Sequence, residues 1–467
     1  MIRIGLEVHV QLTTLTKLFC GCPNRFSENP NTQVCEYDLG FPGAKPRLNK
    51  KAVDFALKIG LALNCHIPKE TFMSRKAYFY PDMGKNFQIT QYEMPIAEKG
   101  YLALGKKKIR IRRIQIEEDP ARLVHMADGE LATITTAKYV LVDYNRSGTP
   151  LCEIVTEPDF FAPKEARDFL QDLSSILEYL GVYDPTQEGS MRVDANISLG
   201  PSRVEVKNIS GFKDVEKALN YEIVRQKGTI NRGQKVKRET RGWDATAGVT
   251  RSLRSKEEEE EYGYIFETDL PRITVADEKI ESLKKTMPEF AHEKALRYKK
   301  EFQISEELAA AITTEPDFAD MFERTAQHSN KQLAARWFAG PIRKTLNFNA
   351  MKMKQTKLTS ENITKLLWHI ESKKITERTA ELMLRDIINK GTDVDIIVSS
   401  ERTERIVDES ALDHVVKEAL DENPNAIIDY KSGKQEAFHF IVGQIMRKTH
   451  GRGDVETIRK LLRRKIS

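Results

Sequence analysis

Two titratable residues stand two positions apart near the start of the chain. The run Ile4–Leu12 alternates apolar residues with Gly5, Glu7, His9 and Gln11. Alternate residues of an extended strand lie on one face, so Glu7 and His9 are predicted to share a polar face. A carboxylate and an imidazole placed in this way form half of a divalent-metal or acid–base site. The alternative is a two-faced strand whose polar side only meets water.

Three consecutive acids, Glu117, Glu118 and Asp119, close a strand that the pattern predicts over 108–117. Neighbouring acids repel one another unless a cation or a basic partner offsets them. Magnesium takes a few carboxylates together with waters and phosphate oxygens. One or two of these acids, together with the pair on the first strand, would therefore suffice for a magnesium site. Taken alone, the three acids are better explained by an acidic turn.

A second alternating pattern covers strands predicted over 190–199 and 203–209. One face of this hairpin carries the polar and charged residues Arg192, Asp194, Asn196, Ser198, Glu205 and Lys207. Ordinary surface strands carry exchangeable Lys, Glu and Thr, whereas Asp, Asn and Ser are poor strand formers. The composition of this face therefore favours a functional site.

The loop Asp143–Pro150 is rich in small residues and contains one arginine. Backbone N–H groups of such a loop can surround a phosphate, which makes Arg146, Ser147, Gly148 and Thr149 candidate phosphate contacts. The chain contains neither G-x-x-x-x-G-K-[ST] nor G-x-G-x-x-G. As evidence for nucleotide binding, the loop is weak by itself.

Cysteines in the first part of the chain have the spacing of metal ligands. Cys20, Cys22 and Cys35 are followed by Asp38 at the fourth position, and structural zinc sites gather four such ligands in a tetrahedron. The alternative is three idle cysteines left from a decayed site. Five cysteines, an odd number spread thinly, argue against a disulfide framework.

Composition limits the class of protein. A chain of 467 residues suggests two to three domains, and 31% charged with 40% hydrophobic residues are typical of a globular protein. No apolar run approaches the roughly 18–20 residues that span a bilayer. The first residues enter a strand at once, without a secretion signal. These features predict a cytoplasmic protein.

Turn residues and hydrophobic periods divide the chain into three predicted regions. Region 1–285 mixes short strands, including 2–11, 131–143 and 150–157, with helices over 51–63 and 163–180. It lacks a βαβ rhythm, so the pattern predicts an α+β fold with a mixed or antiparallel sheet. Regions 286–396 and 397–467 are predicted to be helical, with helices over 289–302, 305–313, 317–325, 331–339, 359–372, 376–390 and 455–466. A linking stretch is predicted over 342–355.

The C-terminal region is basic. Between positions 447 and 467 the chain has eight Lys or Arg and only two acids. A basic terminus favours a polyanion, with nucleic acid as the default partner, and a solvated helix end is the alternative. The candidate nucleic-acid contacts are Lys448, Arg452, Arg459, Arg463 and Arg464.

In combination, these motifs resemble the family of B subunits of tRNA-dependent amidotransferases. The matching runs are Ile4–Leu12, Leu39–Gly43, Lys76–Asp82, Glu117–Asp119, Val142–Pro158, Ser190–Leu199, Glu205–Asn208 and Ala437–Met446. They follow one another from the first strand to the tail. Together they are far more specific than any single motif.

The resemblance implies a cradle-like catalytic β domain, a helical domain, and a small helical tail that binds tRNA. It implies a ligase of protein biosynthesis that uses ATP and magnesium to phosphorylate the side-chain carboxylate of Glu-tRNA(Gln) or Asp-tRNA(Asn). Ammonia, made from glutamine by an amidase (A) subunit, would then replace the phosphate. The heterotrimer would be completed by a small (C) subunit.

The resemblance also implies roles for particular residues. Glu7, His9 and Glu118 would hold magnesium, and Asp194 and Glu205 are candidates for the same acidic site. Arg146, Ser147, Gly148, Thr149 and Lys207 are candidate phosphate contacts. The chain departs from the family pattern at Asp38, which replaces a cysteine and leaves zinc uncertain, and within Gln115–Arg122 and Tyr262–Pro271.

Three rival functions remain open or disfavoured. A non-catalytic tRNA-binding scaffold subunit is disfavoured because all the expected acids are present. A free-standing metal hydrolase is disfavoured because the chain contains no H-E-x-x-H or comparable ligand set. The related archaeal subunit specific for glutamate carries an inserted domain, for which region 285–390 has no room.

Overall fold

The computed structural model describes residues 2–132, 136–187, 189–255, 263–399 and 405–466. The chain divides into two compact units, Met1–Phe290 and Ala291–Ser467. The first unit contains all the strands of the described residues, and the second contains only helices. This arrangement confirms the predicted α+β class. Within the described residues, none of the helices is both long enough and apolar enough to cross a membrane.

The strands of the first unit are short, apart from β1, β5, β6 and β11. In chain order they are β1 (Arg3–Gln11), β2 (Glu70–Thr71), β3 (Ser74–Ala77), β4 (Phe87–Thr90), β5 (Ala97–Leu104), β6 (Lys107–Glu118), β7 (Arg122–Ala127), β8 (Glu130–Leu131), β9 (Tyr139–Asp143), β10 (Pro150–Thr156), β11 (Met191–Ser198), β12 (Val204–Ile209), β13 (Glu239–Asp244), β14 (Val249–Ser255), β15 (Tyr264–Phe266) and β16 (Ile273–Thr274).

One eight-stranded sheet organises this unit, in the order β14-β13-β12-β11-β1-β10-β6-β5. Its neighbouring strands are antiparallel, except that β12 and β13 run parallel. Strand β1 lies in the interior, between β10 and β11. The first strand of the chain therefore brings its polar residues to the middle of the sheet, far from either edge.

One face of the sheet is apolar and covered by helices. On β1 this face consists of Ile4, Leu6, Val8 and Val10, each at most 1% exposed. It packs into one core with helices of the same unit, which are α1 (Lys50–Ala62), α2 (Pro163–Tyr179), α3 (Phe212–Asn231) and α4 (Asp277–Lys285). Burying each aliphatic side chain contributes about 1.5–3 kcal/mol, so the apolar face fixes the register that aligns the polar face.

Local sequence predicted some of these elements and missed others. Pro163 begins α2, and Gly181 follows it in the left-handed conformation, as predicted. The strand predicted over 131–143 is wrong, because β8 ends at Leu131 and β9 begins only at Tyr139; residues 133–135 of that stretch lie outside the described residues. Helix α3 was not predicted at all, although Gly211 with φ of 90° marks its start.

The second unit is built from helices only. They are α5 (Ala291–Phe302), α6 (Glu306–Thr313), α7 (Pro316–Ala326), α8 (Lys331–Trp337), α9 (Arg343–Phe348), α10 (Ser360–Glu371), α11 (Glu377–Lys390), α12 (Val394–Ser399), α13 (Glu409–Glu422), α14 (Pro424–Lys431), α15 (Gln435–Lys448) and α16 (Val455–Ile466). Two separate apolar cores lie within the unit, one drawn from residues between Tyr298 and Val398 and the other from residues between Leu412 and Ile466.

The stretch predicted as a link over 342–355 begins as helix instead. A π-helical turn, Phe338–Ile342, joins α8 to α9 and contains Pro341. Proline has no N–H to donate to the preceding turn, and a wider π turn accommodates it without ending the helix. The helix therefore continues past Pro341, and the predicted link is reduced to the residues that follow α9.

Candidate active site

The polar face of β1 lies opposite polar residues on both neighbouring strands. Glu7 pairs with Asp194 of β11, and His9 pairs with Glu153 of β10 and with Arg192 of β11. Directly opposed residues of antiparallel strands project to the same face. The central strand thus collects carboxylates from both sides, as the alternation on β1 and β11 predicted.

The first cluster of ligating atoms consists of His9, Glu117 and Glu153, which lie within 4.8 Å of one another. The His9 Nε2 atom is 3.6 Å from a Glu117 oxygen and 3.7 Å from a Glu153 oxygen. Burial raises the pKa of both carboxyl groups to about 7, with the charge of Glu153 adding to the effect on Glu117 and that of Glu7 to the effect on Glu153. A bound cation would relieve this repulsion.

The second cluster consists of Glu7, Asp194 and Glu205, again within 4.8 Å of one another. It already contains a cation, because the Lys207 ammonium lies 3.2 Å from Asp194 and 3.3 Å from Glu205. Burial opposes the charge of Lys207, but the two carboxylates outweigh it and raise the lysine pKa above its ordinary value. Asn196 completes the cluster by donating to Glu7 at 2.9 Å. Lys207 therefore remains a fixed positive charge within the site.

Glu118 does not belong to either cluster, so the structure does not bring it together with His9, as its predicted role as a magnesium ligand requires. Successive residues of a strand project to opposite faces, so Glu117 faces His9 while Glu118 faces away. Its carboxylate is fully buried, forms an ion pair with Lys85 and accepts the Ile89 N–H at 2.9 Å. Burial raises the pKa of Glu118, and Lys85 opposes the shift. Glu118 is therefore a structural ion-pair partner.

Sequence reasoning named Glu117 only as one of three acids that could complete a magnesium site, and it did not propose Glu153. The alternation on β6 could have identified Glu117, because it shares a face with Gln115, whose side-chain amide donates to Glu153. Glu153 is the only charged residue of β10, a strand otherwise buried and uncharged. A carboxylate kept inside such a strand is the feature that could have identified it.

The predicted phosphate loop uses its donors internally. Arg146 donates from Nε to the Pro120 carbonyl at 3.0 Å and from Nη2 to the Ala121 carbonyl at 2.8 Å. The N–H groups of Ser147, Gly148 and Thr149 are all bonded to backbone carbonyls. These bonds tie β9 and β10 to the turn that follows β6, so the backbone donors of the loop already have acceptors, and the phosphate role of the four residues stays a prediction.

Gly148 in this loop is needed for close packing. Its φ of 80° favours glycine, and a Cβ atom there would approach the Asp38 carboxylate to 2.9 Å. Asp38 itself is buried and forms an ion pair of 3.1 Å with the fully buried Lys17. The loop thus packs directly against the cysteine cluster.

The cysteine cluster brings together Cys20, Cys22, Cys35 and Asp38, with their ligating atoms within 4.8 Å of one another. The Asp38 carboxylate lies 3.6 Å from the Cys20 sulfur and 3.7 Å from the Cys35 sulfur. Burial and the charge of Asp38 raise the pKa of Cys20, and they raise that of Cys22 to about 12. Three thiols and one carboxylate fit tetrahedral zinc, although Lys17 already neutralises the carboxylate.

The tail presents fewer free cations than the sequence suggested. Lys448 pairs with Glu418 and Glu422, Arg452 donates to the Thr449 carbonyl, and Arg463 lies over the Phe438 ring. Arg459 and Arg464 are exposed on α16 and form no hydrogen bond or ion pair with any described residue. Of the five predicted contacts, these two are the most available to a polyanion.

Comparison with known proteins places both units in one family. A family model described as the GatB/GatE catalytic domain matches residues 2–281, and a model described as the GatB domain matches residues 320–466. The first of these spans the sheet and both carboxylate clusters. The second spans the basic tail.

Curated relatives match over nearly their full length. The aspartyl/glutamyl-tRNA(Asn/Gln) amidotransferase B subunit of Haloquadratum walsbyi is 43% identical over 99% of this chain and 96% of that protein. Proteins of the same name from Thermotoga sp. (strain RQ2) and Clostridium tetani are 42% and 41% identical, each over 99% of this chain and 98% of the relative. The chain belongs to the GatB family of aspartyl/glutamyl-tRNA(Asn/Gln) amidotransferase B subunits.

Proposed function

We propose that this chain is the catalytic B subunit of a tRNA-dependent amidotransferase, which converts Glu-tRNA(Gln) or Asp-tRNA(Asn) to Gln-tRNA(Gln) or Asn-tRNA(Asn). The observation that carries the proposal is the polar sheet face. There the His9–Glu117–Glu153 cluster offers three ligand atoms to a cation, and the neighbouring Glu7–Asp194–Glu205 cluster holds Lys207. Fixed positive charge beside a cation site suits chemistry in which two anions react.

The reaction that fits this face proceeds in two steps. A side-chain carboxylate oxygen of the charged amino acid attacks the γ-phosphorus of ATP, the bond to the bridging oxygen breaks, and ADP leaves. Ammonia then attacks the carbonyl carbon of the acyl phosphate, the carbon–oxygen bond breaks, phosphate leaves, and nitrogen loses a proton. The acyl phosphate is labile in water, so the site must exclude solvent during the second step.

His9, Glu117 and Glu153 are the residues that would hold magnesium. The two carboxylates leave positions for waters and phosphate oxygens, as in the nucleotide sites of magnesium, and the His9 imidazole would add a nitrogen ligand. When bound, the ion neutralises charge on the phosphate oxygens. Lys207 is held by Asp194 and Glu205 beside that position, and it would bind and orient the transferring phosphoryl group.

The proposal extends to partners and to a second metal. The ammonia source is a glutamine-hydrolysing amidase (A) subunit, and a small (C) subunit joins the complex in the cytoplasm. Arg459 and Arg464 contact the tRNA backbone. Cys20, Cys22, Cys35 and Asp38 hold a structural zinc ion, which would deprotonate thiols whose pKa is otherwise raised.

The direct test is amide formation on each charged tRNA by the chain assembled with its amidase partner and the small third partner. Wild-type chain should consume ATP only with charged tRNA present, and His9→Ala should lose activity. Glu281→Gln is the matched control, because the exposed Glu281 forms an ion pair with Lys284 on α4 and is not part of the sheet. Absence of wild-type turnover with both partners supplied would favour the scaffold function instead.

A further inference from the structure

Arg113 lies on the catalytic face but belongs to neither carboxylate cluster. Arg113, Gln115 and Glu117 alternate along β6, and Gln115 pairs with Glu153, which pairs with His9. Arg113 itself pairs with Val155, so it is a diagonal neighbour of Glu153, with the two Cα atoms roughly 7–8 Å apart. Arg113 thus lies close enough to the His9 cluster for one small ligand to contact both.

Aromatic rings hold this arginine in place without neutralising its charge. The rings of Tyr92 and Tyr264 stack with centroids 4.1 Å apart and an angle of 15° between them. The guanidinium carbon of Arg113 lies 5.0 Å from the centroid of the Tyr92 ring. Stacking of this kind orients a guanidinium and leaves its N–H groups free to donate.

Arg113 also forms no ion pair among the residues that the structure describes. Its Nε atom is shielded from solvent and has no hydrogen-bond partner. The adjacent Arg112 lies at a β-bulge of β6 and forms two hydrogen bonds to Glu157 at 3.0 and 2.9 Å. A shielded, unpaired donor costs free energy unless a ligand supplies the acceptor, which distinguishes Arg113 from its neighbour.

We propose that Arg113 binds an oxyanion of the reactants, either the side-chain carboxylate of the charged amino acid or a phosphate of the nucleotide. This inference rests on the proposed function. The planar guanidinium matches both groups, because carboxylate and phosphate each accept two parallel N–H bonds. Arg113 is thus a binding residue that holds one reactant anion in register with the cation held by His9, Glu117 and Glu153.

The test compares Arg113→Met and Arg113→Lys with Arg112→Met in the assembled complex. KM is measured for ATP and for charged tRNA, and equilibrium binding of a non-hydrolysable ATP analogue is measured by calorimetry. Loss of charge-assisted hydrogen bonds should raise one of the two KM values by about 10- to 100-fold in Arg113→Met. Arg113→Lys should lie between, because it keeps the charge without the fork, and Arg112→Met should match wild type.

This experiment distinguishes the two candidate sources of the oxyanion, the charged amino acid and the nucleotide. A raised KM for charged tRNA with unchanged nucleotide binding identifies the amino-acid carboxylate, whereas weakened binding of the ATP analogue identifies a phosphate. If both KM values and analogue binding stay within twofold of wild type in both Arg113 variants, the inference is wrong and the proposed function stands. Absence of turnover in the wild type overturns the proposed function, and this inference with it.

Discussion

The two carboxylate clusters of the sheet lie on the same face, share β1, and differ in how their negative charge is balanced. The Glu7–Asp194–Glu205 cluster contains the Lys207 ammonium at 3.2 and 3.3 Å. The His9–Glu117–Glu153 cluster contains an imidazole instead, and its two carboxyl groups have their pKa raised to about 7. The Lys207 ammonium thus balances one cluster, and the other offers two carboxyl groups and an imidazole to a cation.

This difference separates structural charges from functional ones across the molecule. Glu118 is balanced by Lys85, Asp38 by Lys17, and Lys448 by Glu418 and Glu422. Glu117 instead faces the His9 imidazole at 3.6 Å, and Arg113 lies over the Tyr92 ring. Charged residue types alone do not distinguish the two classes, because the distinction lies in the partners that the fold supplies.

The largest expected effect comes from replacing each of the two consecutive acids of β6, Glu117 and Glu118, in separate variants. Glu117→Gln should lower amide formation by at least roughly 100-fold, because it removes a metal ligand, while the thermal stability of the metal-free chain is retained. Glu118→Gln should lower the free energy of unfolding by about 3 kcal/mol, because it leaves Lys85 buried without a counter-charge. Activity of the folded fraction should survive. Equal loss of activity in both variants would contradict the distinction.

Removing the internal cation tests the second cluster. Lys207→Met leaves Glu7, Asp194 and Glu205 without their positive charge, so this cluster should acquire Mn²⁺ binding that the wild type lacks there. Phosphoryl transfer should fall by roughly 10- to 100-fold, since a fixed charge near the reacting phosphate is lost. Titration of Mn²⁺ by electron paramagnetic resonance measures the number of sites. An unchanged number of bound ions would show that Lys207 does not occupy a cation position.

A smaller effect is expected at the cysteine cluster, where the change concerns thermal stability. Cys35→Ser should release zinc and lower the melting temperature, because a structural metal stabilises only the folded chain. Cys65→Ser is the matched control, since Cys65 donates only to the Leu63 carbonyl. Metal content by mass spectrometry and thermal unfolding are measured on the same samples. Full zinc occupancy in Cys35→Ser would exclude the predicted ligand set.

The pH dependence of stability tests the two buried carboxyl groups of the His9–Glu117–Glu153 cluster. The pKa of Glu117 and of Glu153 rises from 4.5 to about 7 on folding, so between these values the folded chain binds more protons than the unfolded chain. The free energy of unfolding of the metal-free protein should therefore fall as pH rises through this window. Added Mg²⁺ should restore it above the window. In Glu117→Gln the dependence on pH should be weaker, and an identical slope would argue against that assignment.

The smallest expected effect concerns the tail. Changing Arg459 and Arg464 to Ala should lower the salt dependence of tRNA binding by roughly two units of slope, because each contact to a phosphate releases about one counterion. Lys448→Ala should change the slope by less, since its ammonium is already paired with Glu418 and Glu422. Filter binding at several salt concentrations measures both. Equal slopes for all variants would identify the arginines as solvated surface.

Sequence periodicity predicted the features that depend on one strand at a time. The shared face of Glu7 and His9, and that of Arg192, Asp194 and Asn196, followed from alternation within a strand. The choice between Glu117 and Glu118 depends on where β6 pairs with β10, and Glu153 acts only because β10 lies beside β1. Such long-range pairing cannot be read from local patterns, and the same holds for the partners that occupy Arg146 and Lys448.

The central claim is that His9, Glu117 and Glu153 bind the catalytic metal and that Glu118 does not. Pulsed electron paramagnetic resonance of Mn²⁺ bound to the assembled complex tests it directly, because a ligating imidazole couples its nitrogen nucleus to the metal. The coupling should be present in the wild type and in Glu118→Gln, and absent in His9→Gln. A nitrogen coupling that persists unchanged in His9→Gln would contradict the account.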